Sequence, residues 1–314
     1  MSQNPFVRRV CVCVPARDEV ERLPRLLRAL AAQDLPGVLP VVIALNNTTD
    51  NSREVVERIA GELRSFIAIR VDERIFPPEA VHAGSARRLA MDIGVELLDA
   101  DGQAVLITTD ADARPPADWV RRNLEAIERG VDLVGGALVL DDEEHISPLV
   151  RSRWDALAAY WRAVRATEDE IDPVSWDPPP RHGDHTGGSL AVTVAAYRAS
   201  GGVPAIPDGE DRALVTAARA KGFRLAHPID VWTRVSARTD ARAAGGMAAK
   251  LKELSEGIGA AMAVPSLDHW RARARWRRMV RLAGGDAAVA AQEAALPPMA
   301  CDVVIAPAAP EAAA

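Results

Sequence analysis

Apolar residues in the first 140 positions alternate between two periodicities. Short apolar runs over residues 7–14 and 41–45 are typical of buried strands. Between them, leucines at positions 23, 26, 27 and 30 recur with helical spacing. The same alternation predicts further strands, with helices between them, over residues 66–71, 104–109 and 133–140. Alternating strands and helices imply a mostly parallel sheet with helices on both faces.

The pattern changes after residue 140. An acidic run is followed by an amphipathic helix, and a proline-rich stretch that cannot form a regular element comes next. A polar loop then leads into another strand. The elements predicted for this half are a helix over 151–168, a strand over 189–194, a helix over 210–221, an extended segment over 224–235 and a helix over 250–282.

Composition and charge narrow the classes of protein. Hydrophobic residues make up 48% and charged residues 26% of 314 positions, which is ordinary for a globular chain. The net charge of −6 disfavours a nucleic-acid binder. Cys11, Cys13 and Cys301 have no metal-site or disulfide-framework spacing. Neither a signal-peptide core nor a run of about 18 apolar residues occurs, so we expect a cytoplasmic protein without a transmembrane segment.

Polar clusters follow three of the predicted strands. They lie at residues 15–19, 46–50 and 110–112. Because ligands bind at the carboxyl edge of open parallel sheets, we expect these clusters to meet at one edge. The sharpest is Asp110-Ala-Asp112, whose carboxylates suit Mg²⁺ or Mn²⁺ together with phosphate oxygens. The alternative interpretation is that Asp112 caps the helix opened by Pro115 and Pro116.

The order of motifs resembles that of the inverting glycosyltransferases of family 2, which have the GT-A fold. The resemblance covers residues 7–247 and keeps the family's order. The matching stretches are CVPARDE ending at Glu19, VIALNNTTDNS over 42–52, GSARRLAMDIG over 84–94, ITTDAD over 107–112, GGSLAVTVAAYRASGGVPAIPDGED over 187–211 and VWTRVSARTDARAAGG over 231–246.

The resemblance assigns roles on the donor side. Asp112 becomes a ligand of a divalent metal, Mn²⁺ or Mg²⁺, and Asp110 contacts the ribose or the metal. Arg87 or Arg88 faces the donor diphosphate, although both suit an ordinary solvated helix face. The donor-binding set implied in this way is Pro15, Arg17, Glu19, Asn46, Arg87, Arg88 and Asp110. The family's second strand usually ends in an acidic pair, where this chain has Asn46 and Asn47, so the nucleotide base stays open.

The resemblance also assigns the acceptor side. Asp211 becomes the general base that removes the proton of the acceptor hydroxyl, and Glu210 assists it. The alternative is that both acids favour a helix N-terminus, and the two interpretations are compatible. His227 is a candidate third metal ligand, although a lone histidine is usually structural. The candidate acceptor-binding residues are His182, His185, Gly187 and Gly188.

These assignments imply an α/β fold of GT-A type. We expect a single Rossmann-like, mostly parallel sheet flanked by helices, with a C-terminal helical extension. The predicted divisions are a catalytic domain over 1–247 (a nucleotide-sugar half over 1–140 and an acceptor half over 141–247), a helical segment over 248–283, and an Ala/Pro-rich tail over 284–314 whose last part is flexible.

The function implied is metal-dependent, inverting transfer of one sugar from a nucleoside diphosphate sugar to an acceptor hydroxyl. The acceptor is a small molecule, a glycan or a lipid-linked molecule, and a homodimer is open. The alternatives are a sugar-phosphate nucleotidyltransferase and a nucleotide-sugar-binding protein that has lost catalysis.

Two features of the second half stay open between structural and binding roles. Trp154, Tyr160, Trp161 and Trp176 suit either sugar stacking or packing on the sheet. The arginine-rich stretch over 270–281 suits a solvated helix, a dimer contact, or a membrane or anionic surface.

Overall fold

The computed structural model describes residues 10–98, 103–238, 246–256 and 262–306. The strands are β1 (Val10–Ala16), β2 (Leu39–Asn46), β3 (Ile67–Arg74), β4 (Val105–Thr108), β5 (Leu133–Gly135), β6 (Ala137–Leu140), β7 (Leu190–Thr193), β8 (Leu225–Ala226), β9 (Trp232–Val235), β10 (Ala263–Val264) and β11 (Val303–Val304). The α-helices are α1 (Leu23–Ala31), α2 (Ser52–Leu63), α3 (Ala83–Leu97), α4 (Trp119–Glu128), α5 (Pro148–Ile171), α6 (Val194–Ala199), α7 (Glu210–Ala220), α8 (Met247–Glu256) and α9 (Leu267–Glu293).

A seven-stranded sheet in the order β3-β2-β1-β4-β7-β5-β8 forms the centre of the fold. All pairings in it are parallel except those of β7, which runs antiparallel to β4 and to β5. The prediction of a mostly parallel sheet between helices is therefore confirmed. Between β5 and β7 the chain passes through β6, α5 and a long loop, and it then enters the sheet in the direction opposite to that of β4 and β5.

Each face of the central strand β1 contributes to a different half of the core. Val10, Val12 and Val14 pack with α1, α2 and α4 on one face. Cys11 and Cys13 lie on the other face against α3 and are fully buried, as small core hydrophobes. Helix α3 approaches them closely at Gly94, where an added Cβ would lie 2.8 Å from the Cys13 sulfur.

The single strand predicted over 133–140 is wrong, because the chain divides it into β5 and β6. Gly135 and Gly136 lie at the division, where an added Cβ would overlap the carbonyl oxygen of Asp184 and the hydroxyl of Ser189, respectively. The chain that leads into β7 therefore passes so close to these two glycines that no side chain fits there. β5 stays in the large sheet, whereas β6 pairs in parallel with β9 in a separate two-stranded sheet.

The single helix predicted over 250–282 is also wrong. Within the described residues, α8 ends at Glu256, and β10 precedes α9 and pairs with β11. Helix α9 runs on to Glu293, ten residues past the predicted limit of 283, with a kink at Gly285 (φ 76°). The first part of the predicted tail is therefore helical. The last part, residues 307–314, lies outside the described residues. In the part of the chain that the structure describes, no helix is long and apolar enough to cross a membrane.

The arginines of α9 are only partly solvated. Arg277 pairs with Glu168 of α5 at 2.6 Å, and Arg281 pairs with Asp172 at 3.0 Å. Trp270 donates a hydrogen bond to the hydroxyl of Tyr160 on α5. Much of this helix is therefore a packing surface for α5, which favours the structural interpretation of these side chains.

Candidate active site

The loops after β1 and β2 meet at the carboxyl edge of the sheet, as the sequence predicts. Asp18 has a positive φ of 50° and accepts hydrogen bonds from the backbone N–H of Thr49 (2.7 Å) and of Asp50 (3.3 Å). Asp50 in turn accepts one from the N–H of Val20. Partial burial raises the pKa of Asp18, but the hydrogen bonds lower it more, so the pKa lies below its ordinary value. These bonds fix the relative position of the two loops.

The amides that stand in place of an acidic pair both tie β2 to the chain before α3. The Asn46 side chain donates to the carbonyl of His82 at 2.9 Å. Asn47 donates to the carbonyl of Phe76 and accepts from its N–H. On the same edge, Pro15 is buried in β1 and the side chain of Arg17 is half exposed. Both amides therefore form hydrogen bonds within the protein, and these bonds do not indicate which nucleotide base binds at this edge.

Asp112 shares one arginine, Arg238, with Glu19. Arg238 Nη2 lies 3.0 Å from Asp112 Oδ2 and 3.0 Å from Glu19 Oε1. Burial raises the pKa of Asp112 to about 6, with Arg238 acting against the shift and the negative charges of Asp110 and Glu19 adding to it. The sequence prediction gave Arg238 no role, although it lies in the matched stretch 231–246. Only the fold shows that it reaches a residue 219 positions away.

Asp110 is held by an arginine from α3. Arg87 is buried, and its Nη2 donates to Asp110 Oδ1 at 2.8 Å while its Nε donates to Glu210 Oε1 at 3.0 Å. Its Nη1 donates to Thr108 Oγ1 and to the carbonyl of Gly187. The Asp110 side chain is 43% exposed, unlike that of Arg87. The structure thus places Arg87 beneath the site, with its donors used by the protein.

Asp211 lies in the first turn of α7, after Gly209 in the left-handed conformation (φ 74°). Its Oδ2 accepts a hydrogen bond from the N–H of Gly187 at 2.6 Å, and its Oδ1 accepts one from the N–H of Arg212. Glu210, one residue earlier, is buried against Arg87. The two acids therefore have different surroundings, and Asp211 is the more accessible one.

The Gly187–Gly188 turn connects these groups. An added Cβ on Gly187 would lie 2.8 Å from Arg87 Nε and closer still to the guanidinium carbon. A Cβ on Gly188 would lie 3.3 Å from Asp110 Oδ2. The carbonyl of Gly188 also accepts a hydrogen bond from Thr109 Oγ1. Glycine is needed at position 187 because Arg87 passes directly beneath the turn.

The three candidate histidines form a group of their own. His227 Nδ1 lies 2.8 Å from Asp177 Oδ2, and its Nε2 lies 3.2 Å from His185 Nδ1. The His182 ring lies edge-on to that of His227. Burial, with the neighbouring His227, lowers the pKa of His182 and of His185 to about 3, so both are neutral near pH 7. No contact in the described ranges joins His227 to Asp110 or Asp112.

Arg88 is not brought to this site. Its Nη1 donates to the carbonyl of Val203 and its Nε lies 3.5 Å from Asp92, on a half-exposed face of α3. The described residues also contain no group of three or more His, Cys, Asp or Glu side chains arranged to hold a metal ion. An ion bound at Asp110 and Asp112 would therefore take its remaining ligands from substrate and water.

Comparison with known families and proteins adds to this geometry. The family model described as "Glycosyl transferase family 2" matches residues 11–172. Among curated proteins, the undecaprenyl-phosphate 4-deoxy-4-formamido-L-arabinose transferase of Yersinia enterocolitica is 26% identical over 138 residues, which are 43% of this chain and 38% of that protein. The matched region thus spans less than two fifths of that relative's length.

Two solved structures show the same fold. S. aureus TarS 1-349 in complex with UDP superposes with a TM-score of 0.53 at 13% identity, covering 87% of this chain and 71% of that one. The mannosyltransferase PcManGT from Pyrobaculum calidifontis, in complex with GDP-Man and Mn²⁺, gives a TM-score of 0.52 at 21% identity, covering 92% and 76%. At these identities the likeness concerns the fold alone, which is of GT-A type.

Proposed function

The chain belongs to glycosyl transferase family 2, and on this premise we propose that it moves one sugar from a nucleoside diphosphate sugar to an acceptor hydroxyl, with inversion and with a divalent metal ion. One observation carries the proposal. Asp110 and Asp211, which come from opposite halves of the chain, are linked through the Arg87 side chain and the Gly187 peptide. Donor-side and acceptor-side carboxylates therefore occupy one place at the edge of the sheet.

The residues present fit a hard divalent cation. Asp112 and Asp110 would supply carboxylate oxygens, which Mg²⁺ and Mn²⁺ prefer as ligands. Such ions are commonly held by one or two carboxylates, with substrate phosphates and water completing the coordination, so the small number of protein ligands is no obstacle. When bound, the ion would neutralise charge on the departing nucleoside diphosphate.

Asp211 is the general base of the proposed reaction. Its carboxylate takes the proton of the acceptor hydroxyl, whose oxygen then attacks the anomeric carbon opposite the leaving nucleotide. The N–H groups of Gly187 and Arg212 hold the carboxylate in one orientation. A single base in hydrogen-bond reach is enough for inversion, because no covalent intermediate forms, and its charge also favours an oxocarbenium-like transition state.

The donor and acceptor are proposed by class. The similarity to proteins solved with UDP and with GDP-Man supports a nucleoside diphosphate sugar but leaves the base open. The curated relative acts on undecaprenyl phosphate by its name. The reacting group of such an acceptor is a phosphate oxygen and not a hydroxyl, so a lipid phosphate is the second acceptor class to be assayed beside hydroxyl acceptors.

The experiment that tests the proposal combines binding with turnover. Melting temperature is measured with UDP, GDP, CDP and dTDP and their sugars, with and without Mn²⁺. Ligand at about a hundred times its dissociation constant adds roughly 2.7 kcal/mol of stability. We expect one nucleotide to stabilise the chain only with metal, and Asp112→Asn to abolish that shift.

Three other results would count against the proposal. If no nucleotide raises the melting temperature, the assignment of a donor-binding site is wrong. A metal-dependent nucleotide shift without release of nucleoside diphosphate from any sugar nucleotide, across small, glycan and lipid-phosphate acceptors, would favour the binding protein that has lost catalysis. Formation of a sugar nucleotide from sugar phosphate and nucleoside triphosphate would favour the nucleotidyltransferase.

A further inference from the structure

One buried side chain contacts four segments that surround the proposed reaction centre. The guanidinium of Arg87 uses four of its five N–H groups on acceptors that lie 21, 23, 100 and 123 positions further along the chain. Those acceptors belong to the end of β4, to Asp110, to the turn before β7 and to the start of α7. Pairing of β4 with β7 already brings Thr108 near the turn that precedes β7. The arginine adds a tie from these two segments to the start of α7, where it pairs with Glu210.

The charges around Arg87 make this tie specific. Asp110 and Glu210 each pair with a different nitrogen of the guanidinium, which is itself only 5% exposed. Removing one partner from a buried group of charges leaves another uncompensated, which is costly. Lysine cannot reproduce the arrangement, because a single ammonium lacks the planar fork that reaches several acceptors at once.

The same side chain reaches Asp211 through one peptide unit. Arg87 Nη1 donates to the carbonyl of Gly187 at 2.9 Å, and the N–H of Gly187 donates to Asp211 Oδ2 at 2.6 Å. On the other side, Arg87 holds Asp110 Oδ1, which leaves Oδ2 for the donor. A displacement of the guanidinium would therefore move both a donor ligand and the base.

We propose that Arg87 is a positioning residue that couples the donor carboxylate Asp110 to the base Asp211, and that it does not itself contact the donor. The inference rests on the proposed function. It differs from the sequence expectation, in which Arg87 faces the donor diphosphate. Coupling of this kind means that metal-dependent nucleotide binding and the alignment of the base change together when Arg87 is altered.

The test compares Arg87→Lys with a matched variant, Arg277→Lys. Arg277 is also an arginine held by two carboxylates, Glu168 and Glu293, but it joins α9 to α5 and shares no partner with Arg87. Both substitutions weaken a packed ion-pair group, so both are expected to lower the melting temperature. Only Arg87→Lys is expected to weaken Mn²⁺-dependent binding of the nucleotide that stabilises the wild type, by about tenfold, and to lower kcat by about 100-fold with the acceptor KM unchanged.

A double-mutant cycle separates coupling from a general structural effect. If Arg87 acts on nucleotide binding through Asp110, Arg87→Lys has little further effect in an Asp110→Asn background, because the partner is already altered. A structural role would instead give additive losses. Should Arg87→Lys melt below the assay temperature, Arg87→Met with Glu210→Gln, which removes both buried charges together, replaces it and is compared with Glu210→Gln alone.

The outcomes are distinguishable from failure of the proposed function. If the wild type binds no nucleotide with Mn²⁺, the proposed function fails. If the wild type binds and turns over, but Arg87→Lys matches Arg277→Lys within twofold in both nucleotide affinity and kcat, the coupling is overturned. Additive losses in the cycle with Asp110→Asn would also overturn it.

Discussion

Arg238 Nη2 lies 3.0 Å from Asp112 Oδ2, so the carboxylate with the strongest claim to a metal ion already has a cationic neighbour. The same nitrogen lies 3.0 Å from Glu19 Oε1. A guanidinium and a divalent ion that need the same oxygen must share it or compete for it. This relationship makes Arg238 a determinant of metal affinity.

The first prediction concerns that competition. Arg238→Met removes the competing cation, so at pH 8 we expect Mn²⁺ to bind the nucleotide-free protein up to about fivefold more tightly, the equivalent of a partly exposed ion pair. Electron paramagnetic resonance of free Mn²⁺ in a titration measures this directly. Arg234→Met is the matched control, because Arg234 pairs with Asp142, two residues after the end of β6. Weaker Mn²⁺ binding in Arg238→Met would show that the arginine supports the ion.

The second prediction uses the raised pKa of Asp112. Its folded pKa of about 6 lies above its ordinary value of 3.8, so the folded state binds the proton more tightly than the unfolded state does. Between these values the wild type therefore loses stability as pH rises. Asp112→Asn, which stays neutral, should be more stable than the wild type at pH 8 by on the order of 1–3 kcal/mol, and the difference should shrink below pH 4.

Denaturant unfolding in metal chelator at pH 4, 6 and 8 measures that difference. Asp18→Asn serves as a control of opposite sign, because the pKa of Asp18 is lowered in the folded state. Its stabilising charge is present at neutral pH and is lost as pH falls through the folded pKa. Asp18→Asn should thus be the less stable variant at pH 8. An Asp112→Asn difference that does not change with pH would contradict the assigned environment.

The third prediction concerns the base. Asp211→Asn keeps an oxygen that can accept the Gly187 N–H but cannot take a proton, so kcat should fall by about 10² to 10⁴. Nucleotide affinity should stay near that of the wild type, and the melting temperature should fall slightly, because the amide nitrogen cannot accept the hydrogen bond from the Arg212 N–H. Single-turnover measurement with radiolabelled donor gives the chemical rate. Retention of more than a tenth of the wild-type rate would assign the base to another group.

The fourth prediction tests the close approach at the turn. Gly187→Ala places a methyl group against the Arg87 guanidinium, and we expect a loss of about 1–3 kcal/mol in the free energy of unfolding. Gly61→Ala on α2, where an added Cβ meets nothing within 4 Å, should instead stabilise by about 0.5–1 kcal/mol. Thermal and urea unfolding of the two variants side by side measure both signs. Equal effects would mean that the turn can move away from Arg87.

The sequence predicts the sheet well because periodicity reports burial one element at a time. Strands such as β1 and β4 were found because their residues are apolar throughout. The division between β5 and β6 escaped prediction, since its cause is the backbone of Asp184 crossing Gly135. Periodicity holds no information about which distant segment passes a glycine.

The same limit applies to the site. The carboxylates Asp110, Asp112 and Asp211 were recognisable from local motifs, although their roles stay predictions. The ion pairs around these carboxylates are not recognisable from local motifs, because their members are far apart in the sequence. Arg87 and Glu210 are separated by 123 positions, and Arg238 and Glu19 by 219. The chain has many arginines, and its sequence alone has no signal that Arg87 and Arg238 are the ones that reach these acids.

The reversed direction of β7 has a consequence for how specificity can change. Because β7 runs antiparallel to β4, Leu190 at its beginning pairs with Thr108 at the end of β4. The chain over 141–186 therefore starts after β6, in the two-stranded sheet, and ends where β7 enters the large sheet, so strand pairing fixes both of its ends. We expect substitutions between these fixed ends to change acceptor choice without moving Asp110, whose position is set by β4. Such substitutions must keep the contacts of α5 with α9.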